Sequence, residues 1–394
     1  MAKEGSGDRV DPKNYEGREQ ALVKHLILQS YLQRLAYKVG QFKPNTTLNY
    51  IDGFSGPWDA NADDNSDSSP SIAVRELYRV QTALADRKGF SARAMFVEKD
   101  VAAFQRLQQL RKDFAIHTEA YCGAFEEHIS QATAFAKVGT NPFAFVFIDP
   151  TGWTGYGLQQ ITPLLRVRFS EVLINFMTKD ITRFVDHGPP NVAESFVELF
   201  GGDYRAQWRD LEGLDREDAI IRAYCERVKQ AGGFQHAVSA VVLNPRKDRT
   251  HYHLIYATRS DVGLITFREI EAAAMKIQRG VRASAREDAR NERTGFVGSL
   301  FDATDIDSDR VGTLFDRYHS EARARIRSAL EKHSVLPYDA VVLDALQSPM
   351  TAEADVREWL GEWKASGNLL VEGLRERERT PKLKSSHRLR WRVT

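Results

Sequence analysis

The sequence predicts an α/β protein, in which a doubly wound, Rossmann-like parallel sheet precedes a small C-terminal domain of helices and a hairpin. Two observations support this prediction. Five β-type runs alternate with helical periodicity over residues 47–176, which is typical of a parallel sheet covered by helices. After Pro337, short helices are followed by two β-type runs that flank a basic loop.

The first strand of the predicted sheet ends in a polar, glycine-rich turn. Residues 19–39 carry apolar side chains at helical spacing and predict a helix, and Thr47–Ile51 predicts a strand. That strand ends at Asp52, which opens the turn Gly53–Gly56. Because glycine lets a backbone approach a ligand closely, such a turn is typical of sites for nucleotide-type cofactors.

An acidic, low-complexity segment follows at residues 59–70. We interpret it as a mobile surface loop. A metal site is the alternative, but the spacing of its aspartates differs from that of a calcium-binding loop. We therefore predict no metal site in this protein.

The other strand–helix units follow in regular order, and each strand again ends in polar or small residues. The strand that ends before Asp149 is a continuous apolar run, as expected for a strand buried on both faces. Ligands of such sheets bind at the carboxyl ends of the strands. The predicted elements are helix 71–80 capped by Ser69 or Ser71, strand 92–97, helix 101–110, strand 115–121, helix 124–136, strand 143–148, helix 157–166 and strand 171–176.

A hairpin is predicted to complete the sheet. The runs Ala237–Asn244 and Tyr252–Ala257 predict an antiparallel pair at the sheet edge, and residues 186–232 predict a helical insertion. We assign residues 1–275 to this first domain, and residues 276–334 to a helical linker.

A predicted helix over residues 264–294 carries arginines on one face, because they recur at intervals of three and four residues. Two interpretations stay open. The face is either solvated and neutralised by local ion pairs, or it tracks the phosphates of a nucleic acid. The arginines predicted to bind nucleic acid are Arg279, Arg282, Arg286 and Arg290.

Residues 335–394 predict a winged helix-turn-helix, a common DNA-binding module that is also used for protein contacts. The tail from Arg375 to Thr394 holds eight Arg or Lys against two Glu, although the net charge of the whole chain is only +1. Such a basic end favours contact with nucleic acid. The tail residues predicted to make that contact are Arg379, Lys382, Lys384 and Arg388.

Composition excludes several other classes of protein. The two cysteines, Cys122 and Cys225, are too few for a disulfide framework or a zinc cluster, and they fit a reducing cytosol. No apolar stretch is long enough to span a membrane, and the N-terminus lacks the apolar segment of a signal peptide. We therefore expect a cytoplasmic protein with no membrane contact. No phosphate-binding Gly-Lys-Ser/Thr loop is present, which argues against an ATPase.

Four strand ends carry the residues predicted to form the site. Glu98 ends the second strand and is placed to accept both hydroxyls of a ribose, or else it is only an acid at a helix N-terminus. Lys24 and His25, on the first helix, could approach the mouth of the cofactor site, but we interpret them as surface residues. The residues predicted to bind the cofactor are Asp52, Gly53, Phe54, Ser55, Gly56, Glu98, Cys122 and Gly123.

The segment Asp149-Pro-Thr-Gly-Trp153 is predicted to hold the substrate. A carboxylate and a backbone carbonyl accept hydrogen bonds from an exocyclic NH2 group, and an aromatic ring stacks on the base. This is positioning chemistry that requires no metal. We assign catalytic roles to Asp149, Pro150, Gly152 and Trp153; Trp153 lies four residues after the acid, whereas the usual short motif has three. Alternatively, Trp153 is a core aromatic.

Over residues 15–275 the chain resembles the three-Cys-motif partner proteins, called TcmP. The shared runs are Tyr-Ile-Asp-Gly-Phe-Ser-Gly-Pro at residue 50, Phe-Val-Glu at 96, Phe-Ile-Asp-Pro-Thr-Gly-Trp at 147, Asn-Phe-Met at 175 and Tyr-His-Leu-Ile-Tyr-Ala-Thr at 252. Thr151 departs from the phenylalanine expected there. The resemblance implies a class I methyltransferase fold, S-adenosylmethionine (SAM) as cofactor, and a radical-SAM-like partner protein with three cysteines.

We therefore expect a SAM-dependent methyltransferase that acts on nucleic acid, at an exocyclic amino group of a base, in defence or repair together with such a partner. Two alternatives stay open: a non-catalytic, methyltransferase-like protein that binds nucleic acid, and a methyltransferase that acts on a protein partner. The sequence leaves open the target atom and the choice between DNA and RNA.

Overall fold

A computed structural model describes residues 10–56, 65–185, 189–204, 208–294 and 308–392. The chain divides into two compact units, Met1–Arg259 and Ser260–Thr394, here called the N-terminal and C-terminal units. The three domains predicted from the sequence, with boundaries at residues 275 and 334, stay a prediction. Residues 59–64 of the acidic segment 59–70 lie outside the described residues.

The N-terminal unit alternates strands and helices in the predicted order. Its strands are β1 (Thr47–Asp52), β2 (Ser91–Glu98), β3 (His117–Cys122), β4 (Phe143–Ile148), β5 (Ser170–Phe176), β6 (His236–Leu243) and β7 (Thr250–Thr258). Its helices are α1 (Glu19–Phe42), α2 (Ser69–Lys88), α3 (Val101–Leu110), α4 (Ile129–Phe135), α5 (Leu158–Leu165), α6 (Thr178–Phe184), α7 (Pro190–Phe200) and α8 (Gly213–Gly232).

These strands form one seven-stranded sheet with the order β3-β2-β1-β4-β5-β7-β6. Strands β1 to β5 are parallel, whereas β7 runs antiparallel to both β5 and β6. All six residues of β1 are buried, since the strand lies between β2 and β4 with helices on both faces. The prediction of an α/β fold with a mostly parallel sheet and an antiparallel edge pair is confirmed.

Local capping explains where the helices nearest the site begin. The hydroxyl of Ser68 accepts a hydrogen bond from the backbone N–H of Ser71, so the cap of α2 is Ser68, one residue before the earlier of the two predicted caps. The carboxylate of Asp100 caps α3 through the N–H of Ala103 at 2.7 Å. Both caps follow strand ends, where the chain turns from the sheet into a helix.

The C-terminal unit consists of helices and a small antiparallel sheet. Its helices are α9 (Asp261–Thr294), α10 (Thr313–His333), α11 (Tyr338–Ala345) and α12 (Glu353–Ala365), and its strands are β8 (Val335–Pro337), β9 (Leu369–Glu372) and β10 (Arg388–Trp391). The strand order is β8-β10-β9, and β10 pairs antiparallel with both neighbours. Val356, Trp359, Leu360 and Trp363 are buried, as the spacing in α12 predicts.

No helix within the described ranges is both long and apolar enough to cross a membrane.

Candidate active site

A cavity of about 300 Å³ opens in the N-terminal unit, at the carboxyl ends of β1, β4 and β5. Its volume is at the lower end of the range of ligand pockets, roughly 300–1,000 Å³. The lining also includes residues of α1, the start of α2 and the start of β7. Polar side chains of the lining include Lys24, Ser69, Asp149 and Asn175.

Asp52 organises the turn behind the cavity wall. Its carboxylate is fully buried and accepts hydrogen bonds from the backbone N–H of Phe54 at 3.0 Å, the hydroxyl of Ser69 at 3.0 Å and the hydroxyl of Tyr50 at 3.2 Å. Phe54 and Ser69 both line the cavity. Asp52 itself does not line the described cavity, and its predicted contact with a cofactor stays a prediction.

Burial raises the pKa of Asp52 to about 7. The negative charge of Asp149 also raises this pKa, whereas the hydrogen bonds from Phe54, Ser69 and Tyr50 lower it. Near neutral pH, therefore, the protonated and ionised forms of Asp52 coexist. A cation in the cavity would favour the ionised form because opposite charges attract more strongly away from bulk water.

The turn after β1 requires glycine at its first position. A Cβ atom at Gly53 would lie 2.9 Å from the ring of Phe125, closer than any ordinary contact. The N–H of Gly53 donates to Phe147 and the N–H of Ser55 donates to Val97, each at 3.0 Å. The turn is therefore held between β4 and β2, and its backbone faces the cavity at Phe54, Ser55 and Gly56.

Asp149 follows β4 and presents its carboxylate to the cavity. Its Oδ1 accepts a hydrogen bond from the side-chain amide of Asn175 at 2.7 Å, and its Oδ2 accepts one from the ammonium of Lys24 at 2.5 Å. The side chains of Lys24 and Asp149 are only 14% and 13% exposed. The amide oxygen of Asn175 is buried and has no hydrogen-bond partner among the described residues. The carboxylate of Asp149 is therefore held in the cavity wall by one donor on each oxygen.

Two residues that were predicted to lie on the surface of α1, Lys24 and His25, belong to the wall of the cavity. His25 is buried, its Nδ1 lies 2.8 Å from the hydroxyl of Tyr15, and burial together with the charges of Lys24 and Arg18 lowers its pKa. Arg18 forms an ion pair with Asp67. A signal for Lys24 was present, because it lies three residues before Ile27 and four before Leu28, which are both buried.

Glu98 and Gly123 lie at the ends of β2 and β3, beside the turn after β1 in the strand order. Glu98 is 6% exposed, and burial raises its pKa. Its carboxylate accepts from the N–H of Asp100 at 2.7 Å, and its backbone carbonyl accepts from the N–H of Gly123 at 3.0 Å. Glu98, Gly123 and the exposed Cys122 do not line the described cavity. Their roles at the ribose and adenine stay predictions.

Trp153 lies against α7 and not in the cavity wall. Its ring stacks on Phe196 with centroids 5.3 Å apart, and its indole N–H donates to Ser195 at 2.9 Å. This packing agrees with the alternative of a core aromatic, because the extra residue before Trp153 carries the ring past the cavity. Pro150 lines the cavity, whereas Gly152 does not and has open space around its Cα. A catalytic role for Trp153 and Gly152 stays a prediction.

The residues predicted to bind nucleic acid differ in exposure. On α9, Arg279 is exposed, Arg282 is only 1% exposed and Arg286 is half-buried, while the side chain of Arg290 lies outside the described residues. A buried guanidinium cannot reach a phosphate in this conformation, so the arginines of α9 do not form one continuous exposed stripe. All four of the predicted tail residues, Arg379, Lys382, Lys384 and Arg388, are exposed.

The chemistry of the cavity fits the amino acid end of SAM. That end carries an ammonium, a carboxylate and a sulfonium. Asp52 lies behind the wall, Ser69 and the residues of the β1 turn line it, and the carboxylate of Asp149 in the wall is an acceptor for an ammonium. No cluster of three or more potential metal ligands occurs in the part of the chain that the structure describes.

Comparisons with known proteins give only distant structural likenesses. No protein-family model matches the chain, and no curated protein matches it. Similar solved structures include a protein from Legionella pneumophila, 10% identical, with 59% of this chain and 84% of that chain covered and a TM-score of 0.34. A provisionally assigned methyltransferase from Thermobifida fusca is 12% identical, with 63% and 85% covered and a TM-score of 0.31. A cyclopropane synthase from Mycobacterium tuberculosis is 12% identical, with 71% and 79% covered and a TM-score of 0.24.

These likenesses are too weak to carry an argument about activity. The strand order and the antiparallel β7 make the N-terminal unit Rossmann-like and methyltransferase-like in fold. The resemblance to TcmP stays a prediction.

Proposed function

We propose that the N-terminal unit is a SAM-dependent methyltransferase that acts on the exocyclic amino group of a nucleic-acid base. The observation that carries this proposal is Asp149 at the end of β4, in the cavity wall, with each carboxylate oxygen already accepting a hydrogen bond from a nitrogen donor. An amino group is a donor of the same kind. Pro150 follows directly and adds a backbone carbonyl as a second acceptor.

The side chains of the cavity would orient the amino group for attack. SAM would supply the methyl group, which it carries on a sulfonium. The leaving group would be the neutral thioether S-adenosylhomocysteine. The substrate nitrogen forms the new C–N bond as the C–S bond breaks, and it then loses one proton through the Asp149 carboxylate to solvent. Asp149 and the carbonyl of Pro150 hold the two N–H groups, so the nitrogen lone pair faces the methyl group. Such positioning supplies much of the rate acceleration.

The ammonium of Lys24 donates to Oδ2 of Asp149, the oxygen that the substrate amino group would bind. The two atoms lie 2.5 Å apart, and both side chains are largely shielded from solvent. A substrate amino group therefore takes the place of Lys24, and the ion pair holds the Asp149 carboxylate in its orientation until then. A base must also leave its stack to reach a carboxylate in a cavity, as for other enzymes that modify bases.

Nucleic acid as the substrate is favoured by the C-terminal unit. Its last residues carry an excess of exposed arginine and lysine, which suits a polyanion. The order of α10, β8, α11, α12, β9 and β10 is also the element order expected of a winged helix. The three-Cys-motif partner and the cytoplasmic location stay predictions from the resemblance and the composition.

Calorimetry with SAM tests the donor site. We expect binding to the wild-type chain and a loss of at least about tenfold in affinity for Asp52→Ala, because the β1 turn and Ser69 lose their common acceptor. Glu171→Gln is the matched control. Glu171 is also a buried acid that accepts from two hydroxyls, but it lies at the start of β5, away from the cavity. If the wild type does not bind SAM, the proposal is wrong.

Transfer of a labelled methyl group tests the acceptor site and the substrate class. DNA, RNA and protein are offered in separate reactions. Asp149→Ala should lower transfer to the base by about a hundredfold or more, while SAM still binds. If SAM and nucleic acid bind but no methyl group moves, the non-catalytic alternative is correct. If label appears only in protein, the alternative of a methyltransferase that acts on a protein partner is correct.

A further inference from the structure

Two surfaces of the C-terminal unit compete as the docking site for nucleic acid. One is α12, the second helix of the α11–α12 pair. The other is the basic hairpin, defined here as β9, β10 and the loop between them, residues 369–392. In a helix-turn-helix the second helix usually enters the major groove with its N-terminal residues at the bases. The charges of the two surfaces differ.

The charge of α12 opposes such an insertion. Its first turn carries Glu353 and Asp355, and Glu358 and Glu362 lie on its exposed face. The cations of α12 are Arg357 and Lys364, and Arg357 lies 3.7 Å from Glu353. Arg323 of α10 pairs with Glu362 at 2.6 Å, so the excess of carboxylates lies mainly in the first half of α12. Their repulsion from the phosphates would be greatest at the end of the helix that would enter the groove.

The basic hairpin has the opposite charge. Every Arg and Lys of the hairpin is exposed, and only three glutamates accompany these eight cations. Leu389 is buried while Arg388 and Arg390 point outward from β10, because side chains alternate along a strand. The cations are Arg375, Arg377, Arg379, Lys382, Lys384, Arg388, Arg390 and Arg392.

Internal hydrogen bonds hold the loop of the hairpin in one conformation. The N–H of Arg375 donates to Glu378 at 3.1 Å, and the N–H of Lys382 donates to Nδ1 of the buried His387 at 3.0 Å. The N–H of Lys384 donates to the carboxylate of Asp339 at 3.1 Å. The hydrogen bond from the N–H of Arg375 and, to a smaller extent, that from the Lys382 side chain lower the pKa of Glu378 to about 2. The Glu378 carboxylate, which holds the loop at Arg375, therefore stays ionised. The cations therefore need little further ordering to bind.

We propose that a B-form DNA duplex docks on the basic hairpin and not on α12. Six of the eight cations are arginine, the side chain that the narrow, electronegative minor groove attracts most. The hairpin lies along the phosphates and enters the minor groove, while the acidic face of α12 stays away from the duplex. This inference rests on the proposed action on nucleic acid and specifies the surface and the form of the partner.

Two matched double variants of the full-length chain test the inference. Arg377→Gln/Arg379→Gln alters the hairpin, and Arg357→Gln/Lys364→Gln alters α12; each removes two positive charges. Neither Arg377 nor Arg379 makes a side-chain hydrogen bond or ion pair within the described residues, so the hairpin variant should fold normally. Binding of a labelled DNA duplex is measured by fluorescence anisotropy from low to high salt.

The hairpin variant should bind DNA on the order of tenfold or more weakly at 0.1 M salt, and its slope of log affinity against log salt should fall by about 2. The α12 variant should stay within about twofold of the wild type. Equal losses, or a larger loss for the α12 variant, would overturn the inference. An RNA duplex or polyglutamate that binds as tightly as DNA would also overturn it, since the partner would then be a different polyanion.

SAM calorimetry on the same proteins separates this inference from the proposed function. Both double variants should bind SAM as the wild type does. A wild-type chain that binds SAM but no duplex at low salt overturns the docking inference alone. A chain that binds DNA through the hairpin but no SAM overturns the proposed methyltransferase and leaves the docking surface in place.

Discussion

Asp52 shows how a single residue gains its chemistry from its surroundings. The side chain is fully buried, and three hydrogen bonds from Phe54, Ser69 and Tyr50 are not enough to offset the loss of water. The pKa consequently rises to about 7. A carboxyl group with this pKa changes charge within the physiological range of pH. It also accepts a hydrogen bond from the hydroxyl of Ser69, a residue that lines the cavity.

This raised pKa predicts a pH dependence of stability. The folded chain holds a proton on Asp52 that the unfolded chain has released above about pH 4, so this contribution to the free energy of unfolding is present at low pH and is lost as the pH rises through about 7. Asp52→Asn lacks the titration. We therefore expect the free energy of unfolding of Asp52→Asn to rise, relative to wild type, by about 2–3 kcal/mol between pH 5 and pH 8.

Urea unfolding at the two pH values measures this difference. The same difference for Glu358→Gln, on the exposed face of α12, should be close to zero because this carboxylate is in contact with water in the folded and in the unfolded chain. A constant difference between Asp52→Asn and wild type from pH 5 to pH 8 would show that Asp52 is ionised throughout.

At the scale of elements, a buried ion pair joins α9 to the connection between α11 and α12. Arg268 and Glu271 lie one turn apart on α9, are 1% and 0% exposed, and contact each other at 2.5 Å. Arg268 also donates to the carbonyl of Leu346 at 2.8 Å, and Glu271 accepts from the N–H of Met350 at 3.2 Å. The pair therefore satisfies backbone groups that no regular element satisfies.

Removal of one partner should cost more than removal of both. Glu271→Ala leaves a buried guanidinium without its counter-charge, and we expect a loss of about 3–5 kcal/mol in the free energy of unfolding. Arg268→Met/Glu271→Leu should lose less than Glu271→Ala alone, because no buried charge is left unpaired. Chemical unfolding, followed by tryptophan fluorescence with Trp359 and Trp363 as reporters from this unit, measures both. A double variant less stable than the single variant would contradict this account.

At the scale of the whole molecule, the two proposed functions, methyl transfer and DNA docking, belong to two different compact units. The lining of the cavity comes from residues of the N-terminal unit, whereas the basic hairpin belongs to the C-terminal unit. The net charge of +1 hides this division, since the cations concentrate at one end of the chain. In the absence of nucleic acid, changes to one site should leave the other unaffected.

A triple variant tests this independence. Asp52→Ala is combined with Arg377→Gln/Arg379→Gln, and SAM binding is compared with that of Asp52→Ala alone. We expect the two affinities to agree within about twofold, or about 0.5 kcal/mol, because substitutions at independent sites are additive. A larger coupling would mean that the basic hairpin influences the donor site even without DNA.

The sequence by itself determined the order of the elements and the residues at the strand ends. Strand and helix periodicities are local, so the alternation over residues 47–176 was sufficient to predict the parallel sheet and to bring Asp52 and Asp149 to one edge. The acidic α12 and the basic hairpin were likewise present in the composition of the chain.

Only the tertiary structure decided which side chains meet at that edge. Lys24 and Asn175 contact Asp149 from elements distant in sequence, Trp153 turns away toward α7, and Arg282 is buried. Helical spacing shows which residues share a face but not what packs against that face, because the partner is fixed by long-range packing. Burial and the pKa values that depend on it therefore belong to the fold and not to any local pattern.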